Sequence, residues 1–279
     1  MIDCQNFFTE QIMVWPEARE AYSRLSAALT REIDVDGDRF IIQHNPARVR
    51  SSAARLDREA IAARRCFLCR ENRPEKQLRL DFEGMEILVN PFPIFPLHLT
   101  IAARGHRQQL IAGEMALMGR LALEMPVMTI TYNGPECGAS APDHFHFQAV
   151  ESSRLPVWEG QRRRPGMIRL TAATPDELQA QAEAVMRRLP VADGSPEPRV
   201  NILTRVSDDG TLESAIIPRR RLRPLCYTSS PDSTEGFMIS PAMAELAGVI
   251  VTPRLIDFER LDADSLRRIL DDVCFTSLP

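Results

Sequence analysis

One segment constrains the fold more than any other part of this sequence: residues 143–150, which read DHFHFQAV. Apolar residues alternate there with two imidazoles and an amide, and a period of two residues is typical of a β-strand. In a strand His144, His146 and Gln148 share one face, about 6–7 Å apart from one to the next. Because a buried polar group needs a hydrogen-bond partner, the pattern predicts a strand with one buried apolar face and one functional face.

The rest of the chain mixes strand and helix patterns. Strands are predicted at 39–43, 85–89, 98–103, 127–132, 144–150, 199–206 and 212–217. Helices are predicted at 16–31, 109–124, 175–189 and 265–273, and Thr174 is the predicted N-cap of the third. No regular strand-helix-strand units are visible, so the order predicts an α+β fold with an antiparallel sheet.

A stretch rich in proline, arginine and glycine, residues 154–166, separates two parts of the chain. We predict that residues 1–153 form a core with the CxxC motif and the histidine strand. Residues 167–279 are predicted to add strands and helices to the same fold. The dipeptide Asp209-Gly210 between two predicted strands indicates a hairpin in this second part.

Charge and hydropathy exclude several classes of function. Lys76 is the only lysine and lies in the sequence Glu-Lys-Gln, so a P-loop ATPase is excluded. The net charge of −4 provides no global basic field, and we expect no nucleic-acid partner. The first ten residues lack the pattern of a signal peptide, and prolines and polar residues interrupt the longest apolar stretch, residues 85–103. We therefore expect no membrane partner and a cytoplasmic location.

The cysteines include one motif with a chemical meaning. Cys66 and Cys69 form a CxxC, which indicates a metal site or redox chemistry in a reducing compartment. A closed structural zinc site needs two further ligands. His98 is one candidate, and His44 fits a structural role better. A pair of reduced thiols without metal is the alternative.

Several motifs together resemble a known superfamily. The His-x-His-x-Gln row, Cys66-Phe-Leu-Cys69 with Asn72, and the strand from Leu99 to His106 are similar to those of the histidine-triad superfamily. Within it, they resemble the transferase branch, where glutamine replaces the last histidine. Galactose-1-phosphate uridylyltransferase, diadenosine tetraphosphate phosphorylase and GDP-L-galactose phosphorylase belong to that branch. Residues 132–134, 138–140, 90–96 and 217–219 extend the resemblance to phosphate-contacting segments and to the phosphorylases, and to an uncharacterised bacterial group close to them.

Two departures separate this chain from the uridylyltransferases. Phe145 stands between the histidines where those enzymes have proline, and Ser140 lies one residue further from His144 than its counterpart does. These differences leave the base and the sugar open.

The chemistry of nucleotide transfer and the resemblance together suggest roles for individual residues. His146 is the expected nucleophile, and Gln148 is expected to bind a phosphate oxygen without activating water. Asn133, Ser140 and an arginine would stabilise the transition state. Arg48, Arg50, Arg55 and Arg219 are the candidate arginines, and the sequence does not choose among them; Arg50 and Arg219 are taken as the predicted phosphate-binding pair. The resemblance to the uridylyltransferases implies a zinc site made by Cys66, Cys69, His106 and His144.

We therefore expect a nucleotidyltransferase or phosphorylase that acts on a nucleoside diphosphate sugar or a dinucleoside polyphosphate. Its acceptor would be phosphate or a sugar phosphate, and the resemblance is compatible with a homodimer. Two alternatives remain at this point: a nucleotide hydrolase of the same fold, and a zinc-stabilised nucleotide-binding or RNA-binding protein without catalysis.

Overall fold

The computed structural model describes residues 1–49, 53, 58–159 and 166–277. Two of the predicted phosphate-binding residues, Arg50 and Arg55, lie outside the described residues. The described part of the chain contains helices and two β-sheets, the larger of which is antiparallel throughout. This architecture confirms the predicted α+β fold.

The helices are α1 (Cys4–Val14), α2 (Pro16–Ser26), α3 (Arg58–Ala62), α4 (Met115–Glu124), α5 (Pro175–Met186), α6 (Met243–Leu246), α7 (Leu255–Arg260) and α8 (Ala263–Val273). The strands are β1 (Leu29–Val35), β2 (Asp38–His44), β3 (Leu80–Phe82), β4 (Met85–Val89), β5 (His98–Ala103), β6 (Met128–Asn133), β7 (His146–Glu151), β8 (Ile168–Ala172), β9 (Val200–Val206), β10 (Leu212–Pro218) and β11 (Val249–Thr252). Within the described residues, no helix combines the length and the apolar character needed to cross a bilayer.

The larger sheet has eight strands in the order β3-β4-β5-β7-β6-β9-β10-β8. Strand β7, which carries the histidine row, lies between β5 and β6 near the middle of this sheet. Strand β6 pairs with β9, so strands from before residue 153 and from after residue 167 share one continuous ladder. The functional strand is therefore flanked on both sides by paired strands.

The main hydrophobic core covers one face of this sheet. Phe145, Phe147 and Ala149 project into it and pack with apolar residues of α4 and α5. The other face of the sheet is polar in its centre and apolar further along, where Val150 and Leu203 pack with residues of α6 and β11. From residue 146 onward the two faces differ as strand alternation predicts. The predicted strand at 144–150 starts too early, because His144 lies in a bend before β7 and is not part of its ladder.

The second sheet has three strands in the order β1-β2-β11. The predicted helix at 16–31 is wrong over residues 27–31: α2 ends at Ser26, and β1 begins at Leu29. Asp36 and Gly37 connect β1 to β2 with positive φ angles of 57° and 84°, and two such residues form the tight turn of a hairpin. Strand β11 adds to β2 in parallel.

Helix α4 also begins later than the predicted helix at 109–124. It starts at Met115, because Gly113 has a φ of +79°, which an α-helix does not contain. The segment before it runs along the sheet, and the Ile111 N–H donates to Glu197 Oε2 at 2.8 Å. This irregular segment places Gln109 next to the histidine strand.

Candidate functional site

The polar face at the centre of the large sheet carries the histidine row. His146 and Gln148 of β7 project from the face opposite Phe147, as strand alternation requires. Gln148 lies directly between Thr100 of β5 and Thr131 of β6 in the ladder. Polar side chains therefore extend across three adjacent strands.

The imidazole of His146 has a defined tautomer. Its Nδ1 lies 2.8 Å from the carbonyl oxygen of His144, and a carbonyl only accepts, so Nδ1 carries the proton and donates. The other nitrogen, Nε2, then holds a lone pair, and no described residue makes a hydrogen bond to it. The side chain is 2% exposed, and burial lowers the pKa of His146 to about 4. At neutral pH the ring is uncharged.

Gln109 holds the backbone of His146 in place. Its side-chain Oε1 accepts from the His146 N–H at 2.7 Å, and its Nε2 donates to the carbonyl oxygens of His146 and Asn133 at 2.9 and 3.0 Å. The amide thus joins β6 and β7 beyond their last ladder pair, Thr131 with Gln148. Sequence reasoning missed Gln109, because its partners are backbone atoms and no motif surrounds it.

Gln148 is paired with a histidine from the neighbouring strand. The Nε2 of His98 lies 2.6 Å from Gln148 Oε1, and His98 is 1% exposed. His98, the alternative third metal ligand, therefore contacts the functional row and lies outside the cysteine cluster.

Asn133 is fixed by a network of buried polar groups. Its Oδ1 accepts from Asn201 Nδ2 at 2.6 Å and from the Met243 N–H at 2.9 Å. Arg219 Nη1 in turn donates to Asn201 Oδ1 at 2.6 Å. The remaining contacts of the buried Arg219 side chain are with backbone carbonyls, including that of Val273. The structure thus places Arg219 behind Asn133, which it supports through Asn201.

The other predicted phosphate contacts lie in different surroundings. Ser140 is exposed, and its carbonyl oxygen accepts from Arg64 Nη2 at 2.7 Å. Arg48, the alternative arginine, donates to the Phe92 carbonyl at 3.1 Å, and its charge acts on His98. Burial lowers the pKa of Arg48, and the charge of Glu245 opposes that shift.

A cluster of two cysteines and two histidines lies beside the start of β7. The side-chain donor atoms of Cys66, Cys69, His106 and His144 are all within 4.8 Å of one another. His144 Nδ1 is 3.3 Å from Cys66 Sγ, and His106 Nδ1 is 3.2 Å from Cys69 Sγ. Sulfur and nitrogen ligands of one tetrahedral zinc ion are separated by about 3.6 Å. The cluster can therefore hold a metal ion.

The surroundings of the histidines fit this use. His144 Nε2 lies 2.8 Å from the Ala103 carbonyl oxygen, which fixes the proton on Nε2 and leaves Nδ1 for a metal. His106 Nε2 lies 3.7 Å from a carboxylate oxygen of Asp143. Metal-binding histidines commonly have such a carbonyl or carboxylate behind them.

The histidine strand, Gln109 and the cysteine cluster all lie within residues 7–151, which match the model of a protein family. That family is described as a Domain of unknown function (DUF4922). The chain belongs to this family. A search of curated proteins gives no match.

Solved structures show what the DUF4922 chain is similar to in fold. The crystal structure of yeast Ap4A phosphorylase Apa2 aligns with a TM-score of 0.61 at 14% identity, over 95% of this chain and 98% of that chain. The complex of Apa2 with AMP aligns with a TM-score of 0.59 at 14% identity, over 95% of this chain and 97% of that chain. The complex of Apa2 with Ap4A aligns with a TM-score of 0.60 at 13% identity, over 95% of this chain and 98% of that chain. The likeness confirms, at the level of fold, the predicted resemblance to a diadenosine tetraphosphate phosphorylase.

Proposed function

We propose that this protein is a nucleotidyltransferase or phosphorylase acting on a dinucleoside polyphosphate or a nucleoside diphosphate sugar. The observation that carries the proposal is the arrangement around His146. A neutral imidazole presents Nε2, and the neighbouring amides of Gln148 and Asn133 have their oxygens occupied by fixed donors. Such a site offers a nucleophile and two N–H₂ groups to an anionic substrate.

The reaction consists of two displacements at the same phosphorus. The lone pair of His146 Nε2 attacks the α-phosphorus, an N–P bond forms, and the P–O bond to the leaving phosphate or sugar phosphate breaks with its electron pair. An oxygen of the acceptor then attacks that phosphorus and loses its proton to solvent. The N–P bond breaks, and the electron pair returns to Nε2.

The amides determine which product forms. Donors from Gln148 and Asn133 would stabilise the negative charge that develops on the non-bridging oxygens. A carboxamide does not take up a proton at neutral pH, so Gln148 cannot act as a general base toward water. The site therefore favours transfer to a phosphate acceptor over hydrolysis.

The fold supports the same conclusion. The structurally similar yeast protein is an Ap4A phosphorylase, and its structures include complexes with AMP and with Ap4A. By analogy with these complexes, we propose that the DUF4922 protein binds nucleotides.

The metal in the cysteine cluster is proposed to be zinc. Cys66, Cys69, His106 and His144 would hold it with two sulfur and two nitrogen ligands. Four protein ligands leave no coordination position for substrate, so the ion would supply rigidity. It would hold the backbone of His144, whose carbonyl orients the His146 ring.

The test is a covalent adduct on His146. The purified protein is incubated with dinucleoside polyphosphates and nucleoside diphosphate sugars, with and without inorganic phosphate. We expect an intact mass increased by one nucleoside monophosphate, in an acid-labile and base-stable linkage typical of a phosphoramidate. His146→Gly should abolish adduct and transfer, whereas His44→Gly, a histidine outside the site, should retain both.

Other outcomes of the same experiment would identify the protein as a hydrolase or as a binding protein without catalysis. Release of nucleoside monophosphate that does not depend on phosphate or sugar phosphate identifies a hydrolase. Nucleotide binding that is unchanged by His146→Ala, with no adduct in the parent, identifies a binding protein and overturns the proposal.

A further inference from the structure

The hydrogen bonds around His98 determine which nitrogen of its ring carries the proton. The backbone N–H of Ile94 points at His98 Nδ1 with an N···N distance of 3.3 Å. A backbone N–H can only donate, so Nδ1 accepts and has no proton. In a neutral imidazole the proton is then on Nε2.

The tautomer of His98 in turn determines the orientation of the Gln148 amide. His98 Nε2–H must donate to an acceptor, and the Gln148 atom 2.6 Å away is therefore the oxygen Oε1. The nitrogen of the same amide points away from His98. Within the described part of the chain no group accepts from this nitrogen.

The surroundings of His98 keep the ring neutral. The side chain is 1% exposed and packs edge-on against Phe95 at a centroid distance of 5.8 Å. Burial lowers the pKa of His98 to about 4, and the positive charge of Arg48 acts in the same direction. A second proton on Nδ1 would also oppose the Ile94 N–H, so the arrangement holds across the neutral pH range.

We propose that His98 is a positioning residue, which holds the Gln148 amide with its N–H₂ group toward the reacting phosphate. The inference rests on the proposed function and deepens it. The N–H₂ group of Gln148 would then donate to a substrate group with lone pairs and negative charge, such as a non-bridging phosphoryl oxygen. The oxygen of Gln148 is not available to a donor on the substrate.

The first test is spectroscopic and needs no substrate. The chain contains five histidines, so single substitutions assign every imidazole signal in ¹⁵N-histidine-labelled protein. We expect the His98 signals of the neutral Nε2–H tautomer at pH 7, and a shift of Nε2 in Gln148→Leu. An Nδ1–H tautomer or a charged ring at pH 7 overturns the inference, whether or not the protein transfers nucleotides.

The second test measures transfer with the substrate that gives the adduct. Loss of one preorganised donor to a developing oxyanion lowers kcat by about 100-fold to 1,000-fold, which is the effect expected of Gln148→Leu. Gln148→Glu should be similarly slow, because a carboxylate offers no donor. His98→Leu should lower kcat by about tenfold or more with little change in KM, since the Gln148 amide is then free to rotate.

Two further variants separate positioning from folding. His98→Gln keeps a donor near the place of Nε2 and should recover part of the kcat lost in His98→Leu. His44→Leu removes a half-buried histidine that contacts the Thr252 carbonyl in the small sheet, and it should leave kcat unchanged. Parental kcat in His98→Leu, or equal loss in the Gln and Leu variants, contradicts the positioning role while leaving the adduct result intact.

Discussion

At the scale of single residues, the site depends on side chains that complete the backbone hydrogen bonding of a strand. Gln109 makes three such bonds, to both backbone groups of His146 and to the Asn133 carbonyl. The ladder between β6 and β7 stops short of this point, so a buried amide replaces two missing ladder bonds. Gln109 therefore contributes both to stability and to the position of the His146 backbone.

Replacing Gln109 with leucine should be costly for stability. The substitution leaves a backbone N–H and two carbonyl groups without partners in a buried place, and each such group costs about 1–3 kcal/mol. We expect the free energy of unfolding, measured in urea, to fall by about 3 kcal/mol. Gln108→Leu is the matched control, because Gln108 is exposed, and a change there should stay within about 0.5 kcal/mol. Equal losses in the two variants would show that the hydrogen bonds of Gln109 contribute nothing to the free energy of unfolding.

The residues of the candidate site differ in how far the sequence predicts them. His146 and Gln148 are visible because the period of a strand puts them on one face, and the CxxC is visible because its spacing is short. Asn201 and Gln109 form the support of the site without any such pattern. Their partners lie in distant segments, and only the three-dimensional fold brings them together.

At the scale of elements, the last helix shows how a local signal defines a boundary. Helix α8 buries Leu266, Ile269 and Val273 at helical spacing, and Leu266 and Ile269 pack against the small sheet. Asp262 caps its N-terminus, and Asp262 Oδ1 accepts from the Ser265 N–H at 2.8 Å. The cap ends the preceding loop and starts the helix at Ala263.

Removing this cap should destabilise the protein measurably. Asp262→Ala leaves the Ser265 N–H without its acceptor, and loss of an N-cap costs about 1 kcal/mol. Asp264→Ala is a matched control in the same first turn, where the aspartate makes an exposed ion pair with Arg267. Such pairs contribute about 0–1 kcal/mol. The free energy of unfolding of both variants is measured in urea. A loss in Asp264→Ala as large as that in Asp262→Ala contradicts the capping role.

The sequence predicts the interior strands of both sheets and misses the strands at their edges, β1, β3, β8 and β11. Strands β4 and β5 agree with the predicted bounds, because continuous apolar runs between turn residues define them. The helix predicted to extend to residue 31 fails because Leu29 continues the helical spacing of Tyr22 and Leu25, whereas pairing with β2 makes Leu29–Val35 a strand. Helix α1 has an N-cap in Asp3, but its apolar residues show only weak helical periodicity, so the sequence pattern does not predict it.

At the scale of the whole molecule, the cysteine cluster ties segments from different parts of the chain to one point. Cys66 and Cys69 come from the loop before β3, His106 follows β5, and His144 precedes β7. A metal ion bound there joins these segments independently of the hydrophobic core. Metal binding and folding should therefore be coupled.

Cys66→Ser tests this coupling. We expect about one zinc per chain in the purified parent and less in the variant. Loss of a zinc ligand should lower the free energy of unfolding by about 2 kcal/mol or more, and about 1 kcal/mol corresponds to 2–4 °C in a chain of this size, so the melting temperature should fall by about 5 °C or more. Cys226→Ser removes a thiol outside the cluster and should change neither quantity. A native parent that is fully folded and metal-free would contradict the assignment.

The parallel pairing of β2 with β11 has a consequence for how the chain is made. Val249 pairs with Ile41, and His44 contacts Thr252, which follows it by 208 residues. A ribosome adds about 5–20 residues per second, so the partner of β2 emerges roughly 10–40 s after β2 itself. During that interval one edge of β2 has open backbone groups, and an open edge can pair with another strand. The newly made protein should therefore depend on chaperones until β11 arrives.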